Sequence, residues 1–254
     1  MMFRSRPLLA LVALIATLMP ARAITGGGAA PSEAVAKSIV TIIGSRGNVC
    51  TGALIAPSIV LTAGHCITPG TNYRVIDPTT TPPKLITAAK VATHPSFNMQ
   101  TMLAHRATAD VALLLLPSSV PNKSAATLGQ PRVPIVNGSR LTIAGVGVTS
   151  SGGDAGVGTV RAASLAITGK PGTLQIRLVD PVTENKRAGL GACTGDSGAP
   201  AFEDQNGRSV IVGVVSWSTG ANNSDGCGGL TGVTPLTLYK DWIIKTAREW
   251  GAGL

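Results

Sequence analysis

The chain has 254 residues, 44% of them hydrophobic, which is ample for a packed core in one larger all-β unit or in two domains. Only 13% are charged, glycines number 31, and Val, Ile and Thr are frequent, a balance that disfavours long surface helices and favours strands joined by turns. The formal charge of +9 is carried by basic residues scattered singly, with no run that pairs them with aromatics, so a nucleic-acid partner is not expected.

The first 23 residues read as a targeting segment. Arg4 and Arg6 give a positive start, Leu8 to Met19 is an apolar run too short to span a bilayer comfortably, and Ala21-Arg22-Ala23 offers the small residues that signal peptidase reads. No later stretch could span a membrane, so the processed chain, 24–254, is expected to be secreted, extracellular or periplasmic, and free of the membrane. Cleavage after Ala23 removes Arg4, Arg6 and Arg22 and no acidic residue, which lowers the formal charge from +9 to +6. Ser38 to Ile43 is then a β-branched strand, and Cys50 to Ile55 and Ser58 to Thr62 flank Pro57 as a hairpin. Asp110 to Leu116 is a continuous apolar run stopped by Pro117, the pattern of a strand buried on both faces. Pro131 to Gly138 reads as a crossing between two units. Arg140 to Ala144, Thr173 to Val179 and Ser209 to Trp217 are the strands of the second half. Only Leu238 to Trp250 has helical spacing of its apolar residues, that of a packing helix. The expected fold is all-β, two barrels side by side (about 24–135 and about 136–254) with a C-terminal α-helix.

Cys50, Cys66, Cys193 and Cys227 are an even set in an exported chain, which implies disulfides with three possible pairings. Their wide spacing, without C-x-x-C, argues against zinc.

Three local motifs carry chemistry: Thr62-Ala63-Gly64-His65-Cys66, Asp110-Val111-Ala112-Leu113-Leu114, and Gly195-Asp196-Ser197-Gly198-Ala199-Pro200. Each alone is weak, but together they supply His, Asp and Ser in that order. A serine hydroxyl is a poor nucleophile at neutral pH and needs an imidazole base within reach. The imidazole in turn needs a carboxylate to fix its tautomer and stabilise its charged form. His65, Asp110 and Ser197 are the candidates for base, orienting group and nucleophile. Gly195, free to adopt angles closed to other residues, can aim its N–H beside that of Ser197 to bind an oxyanion.

These motifs resemble the trypsin/chymotrypsin family of serine peptidases, over essentially the whole length from Ile24 onward. Ile24-Thr25-Gly26-Gly27, His94-Pro95-Ser96-Phe97, Gly145-Val146-Gly147, Ser216-Trp217 and Tyr239-Lys240-Asp241-Trp242-Ile243 add to the likeness. The resemblance implies two six-stranded antiparallel barrels and disulfides Cys50–Cys66 and Cys193–Cys227. It places Ser216 near Asp110 and makes the Ser216–Trp217–Ser218 backbone an edge for bound peptide. It puts Gly191 and Ala192 at the base of the primary pocket and Ser218 and Gly232 in its walls. It implies an ion pair between the α-amine of Ile24 and Asp196 that forms the active site, and no cofactor or metal. Ala199 departs from the family's usual glycine and Val146 from a frequent tryptophan. The loop Thr68 to Leu85 has one acidic residue, Asp77, too few for the calcium site of some relatives. His94 and His105 have no evident chemical partner and read as structural or surface residues.

The expected protein is a monomeric secreted serine endopeptidase that forms an acyl-enzyme with protein or peptide substrates. Without a fixed charge in the pocket, cleavage is expected after uncharged, mainly apolar residues. Two alternatives stand beside it. One is a catalytically silent homologue that acts as a binding protein. The other is an enzyme with basic specificity, should Asp225 on the Thr219–Gly226 loop turn toward the pocket. An esterase of another fold is disfavoured, because Gly-x-Ser-x-Gly is not met around Ser197 and the residue order differs.

Overall fold

The computed structural model describes Ile24, Thr25 and residues 28–254; the targeting segment, Gly26 and Gly27 lie outside the described residues. In the first half, Ser32 accepts a hydrogen bond from Val35 N–H and starts a short helix, α1 (Glu33–Ser38). It runs directly into β1 (Ile39–Gly44), followed by the hairpin β2 (Val49–Ala56) and β3 (Ile59–Thr62) that Pro57 announces. Next come β4 (Tyr73–Asp77), β5 (Lys84–Thr87), β6 (Lys90–Thr93), α2 (Met99–Leu103) and β7 (Ala112–Leu115). These strands form an antiparallel half-barrel in the order β5-β4-β1-β2-β3-β7-β6. Its two end strands are successive in the chain. At the corner between them, the N–H groups of Ala88 and Ala89 donate to the Tyr73 and Leu115 carbonyls.

The second half holds β8 (Thr127–Leu128), β9 (Arg140–Gly145), β10 (Arg161–Thr168), β11 (Ile176–Val179), β12 (Pro200–Asp204), β13 (Ser209–Ser218) and β14 (Leu230–Pro235), then α3 (Lys240–Glu249). Here the sheet closes: the order β12-β9-β10-β11-β14-β13 is completed by pairing of β12 with β13, a six-stranded barrel, and β8 adds in parallel to β13. The first apolar cluster lies mostly in the first half but takes in Phe202, Ile211, Val214, Ile243 and Ala247 of the second, and the second cluster joins Ile24 to the interior of the second barrel. Among the described residues no helix is long and apolar enough to cross a membrane.

The structure corrects the sequence reading in four places. Helices are not confined to the end: α1 and α2 have six and five residues, too few for helical periodicity to register. Their signals are the caps, Ser32 and Asn98, whose side chains accept from Val35 and Thr101 N–H. The terminal helix starts at Lys240, after a 3₁₀ turn over Leu236–Leu238, and Leu238 is 54% exposed instead of packed. The strand expected from Thr173 starts at Ile176. The strand expected from Asp110 starts at Ala112, which leaves Asp110 as the fully buried residue that leads into β7.

Candidate active site

β3 and β7 are neighbours, with Thr62 opposite Ala112. The chain leaves β3 into a 3₁₀ turn, Gly64–Cys66, and enters β7 just after Asp110, so His65 and Asp110 meet where the two strands end. Asp110 Oδ2 lies 2.8 Å from His65 Nδ1, and Oδ1 accepts the His65 backbone N–H at 2.8 Å. Ser216 Oγ, from β13 of the other barrel, donates to Oδ2 at 2.5 Å. A buried carboxylate is costly unless paired and hydrogen-bonded, and Asp110 has both kinds of partner. The His65 side chain is 15% exposed, with its other ring nitrogen left for the site.

Ser197 lies half-buried in the loop between β11 and β12. Its carbonyl accepts the Thr51 N–H at 2.8 Å and sits 3.7 Å from Cys66 Sγ, which draws the loop to the His65 turn. Among the described residues no hydrogen bond joins Ser197 Oγ to His65, and such contacts commonly tighten only with substrate bound. Both expected disulfides are present, Cys50–Cys66 beside His65 and Cys193–Cys227 beside the Ser197 loop.

The backbone around Gly195 is held from both sides. The Thr194 carbonyl accepts from Val148 N–H at 2.9 Å, and the Gly195 carbonyl accepts from Thr51 Oγ1 at 2.8 Å. Gly195 has φ +92°, and a Cβ there would press on the Gly147 backbone, so no other residue fits. The N–H groups of Asp196, Gly198 and Ala199 are engaged by carbonyls, whereas those of Gly195 and Ser197 have no partner among the described residues. Asp196 is fully buried. It accepts from Gly147 N–H and Cys193 N–H, each at 2.9 Å. Burial pushes its carboxyl up to about 6, against the opposing pull of those two hydrogen bonds and of the Arg161 charge. Ile24 is an internal residue of this chain, so its nitrogen is an amide. Its side chain is fully buried beside the same region, and Thr25 bridges to Gly191.

The expected pocket residues are clustered. Gly191 faces Gly228 and Thr231, and the Ala192 N–H donates to Thr231 Oγ1. Ser218 ends β13 opposite Thr231. Trp217 and Gly232 are also cross-strand partners, but the indole lies across Gly232, where any side chain would collide with it. His105 is exposed, as read, yet its ring stacks on Trp217 at 4.6 Å and 17°, and the Arg177 guanidinium lies 6.0 Å from the same ring. His94 accepts from Ser96 N–H and meets Tyr239 and Trp242 edge-on, a packing role. Asp225 is exposed on its loop. The buried Asp180 accepts from the N–H groups of Val182 and Leu190. Sequence reasoning missed Thr51, His105 and Arg177. All three act across large sequence separations, and no local motif marks them.

The family model "Trypsin" matches residues 24–243. Trypsin of Sus scrofa is 28% identical over 217 residues, covering 80% of this chain and 87% of that protein. Trypsin 5G1 of Aedes aegypti is 29% identical over 240 residues, covering 88% and 85%. A solved structure described as the atomic resolution structure of HBP superposes with TM-score 0.66 at 21% identity, covering 88% of this chain and 96% of that one, a likeness of fold. The chain belongs to the trypsin family of serine peptidases.

Proposed function

We propose that the chain is a secreted serine endopeptidase in which Ser197 attacks, His65 relays the proton and Asp110 orients His65. The observation that carries this is the buried Asp110–His65 pair, together with Gly195 and Ser197 N–H groups that have no partner among the described residues. Ser197 Oγ adds to the scissile carbonyl carbon and His65 Nε2 takes its proton. The carbonyl oxygen becomes an oxyanion between the Gly195 and Ser197 N–H groups. Its collapse breaks the C–N bond, His65 protonates the departing amine, and water repeats the sequence on the acyl-enzyme. The test is labelling by an alkyl fluorophosphonate together with peptide hydrolysis. The wild type should label at Ser197 and cleave, and Ser197→Ala should do neither.

The specificity read for this site is for uncharged, mainly apolar side chains. Gly191 brings no charge, and Asp180 nearby is already bound to backbone N–H groups. A cleavage profile dominated by Arg and Lys would overturn that reading. Processing after Ala23 would free the Ile24 amine to pair with Asp196, so export itself would activate the enzyme. A second reading, a binding protein without catalysis, draws on the Trp217 indole that fills the space ahead of Gly232. A folded protein that does not label would favour it.

A further inference from the structure

Thr51 is fully buried in β2, in the first half of the molecule, and its contacts reach into the second. Its hydroxyl donates to the Gly195 carbonyl at 2.8 Å and accepts from the Val146 N–H at 3.1 Å. Its own N–H donates to the Ser197 carbonyl, and its carbonyl accepts from Thr62 Oγ1, both at 2.8 Å. The hydroxyl's single proton is therefore committed to one carbonyl, and one lone pair to one N–H. These contacts fall on both residues whose N–H groups face the oxyanion. They also come from the strand whose preceding residue, Cys50, is bonded to Cys66 next to His65. We infer that Thr51 is a positioning residue for the oxyanion site: its hydroxyl fixes the Gly195 carbonyl and so sets the direction of the Gly195–Ser197 backbone before substrate arrives. The inference rests on the peptidase reading above.

Gly195 needs this support more than most residues. With no side chain and φ +92°, its own torsions are held only by what grips the peptides on either side. Val148 N–H grips the preceding carbonyl and Thr51 the following one. Loss of the hydroxyl leaves the Gly195 carbonyl and Val146 N–H buried and unpaired. The Gly195–Asp196 peptide then keeps one tether, the Asp196 N–H to the Cys193 carbonyl at 2.9 Å, and can tilt about it toward another donor. Charge develops on the oxygen only in the transition state, so the defect falls on turnover and not on substrate binding.

Two variants test this against wild type in the processed protein: Thr51→Val, which keeps the shape and removes the hydroxyl, and Thr51→Ser, which keeps the hydroxyl. The first-order rate of fluorophosphonate labelling and kcat on one peptide substrate should both fall roughly 10- to 100-fold in Thr51→Val, part of the loss seen when an oxyanion donor is deleted outright. KM should stay within about twofold, and Thr51→Ser should recover most of the rate. Because a rate constant is read, a variant that is partly unfolded still reports on its folded fraction. Labelling of Thr51→Val at the wild-type rate overturns the inference. So does equal impairment of Thr51→Ser, which would point to packing of the methyl group, or a change confined to KM. A wild type that neither labels nor cleaves overturns the peptidase reading itself, and this inference with it.

Discussion

At the scale of single residues, the candidate site holds two buried carboxylates with opposite surroundings. Asp110 has an imidazole, a backbone N–H and a hydroxyl around it. Asp196 has two backbone N–H groups and no cation in contact among the described residues, and burial raises it to about 6 from 3.8. A raised folded value means that Asp196 favours folding most below about pH 3.8. That contribution is lost as pH rises through about 6, roughly 3 kcal/mol in all. Urea unfolding of protein with one extra residue ahead of Ile24 should show this decline between pH 4 and 7, and Asp196→Asn should flatten it. A free Ile24 amine should flatten the profile over that interval, since the pair depresses the carboxyl below its usual value and raises the amine above its usual value near 8, which moves both titrations outside it. Beside the other carboxylate, His65→Ala should lower turnover by about 10³-fold or more with the fold intact, read by kcat and by an unchanged far-ultraviolet spectrum.

At the scale of elements, the apolar strands β1, β2, β3, β7, β9, β11 and β13 were legible, whereas β4, β5, β6, β8, β10, β12 and β14 and the contacts between halves were not. Val, Ile and Leu runs such as Ile59–Thr62 and Ala112–Leu115 are buried on both faces, so composition alone marked them. His65, Asp110 and Ser197 were marked by short motifs, and the structure joins His65 to Asp110. Thr51 and Gly195 are 144 positions apart, and the pair makes sense only once two barrels face each other. His105 likewise shows its role only against Trp217. The terminal helix shows the limit of periodicity. Leu238 and Ile243 looked equivalent in sequence, but Leu238 is 54% exposed in the preceding turn and Ile243 is fully buried in the first cluster. Ile243→Ala should therefore cost about 2–5 kcal/mol in denaturant unfolding, and Leu238→Ala about 0.5 kcal/mol or less.

At the scale of the whole molecule, α3 adds Ile243 and Ala247 to the first apolar cluster, whereas Ile24 joins the second, and Thr25 is bridged to Gly191 at the proposed pocket base. On the proposed reading, the secreted protein should begin Ile-Thr-Gly-Gly by N-terminal sequencing. Protein with one added residue before Ile24 should fold with the same far-ultraviolet spectrum but lose nearly all peptide turnover, and full turnover would refute activation by processing. The loss should not be mimicked by residues added after Leu254, whose segment follows a helix packed in the cluster that Ile24 does not join.

The indole lying across Gly232, with His105 stacked on its outer face, carries a kinetic consequence. On the proposed reading, a peptide side chain bound against Gly232 would need the space the indole holds, so capture would proceed through a state in which the ring has swung aside. Apparent affinity is then the intrinsic affinity diluted by the population of that state. Stopped-flow tryptophan fluorescence with a peptide boronate should give observed rates that level off at high inhibitor concentration, at the ceiling set by ring departure. His105→Ala, by uncovering the ring, should raise that ceiling several-fold, whereas rates that climb linearly in both proteins would show an open site from the start.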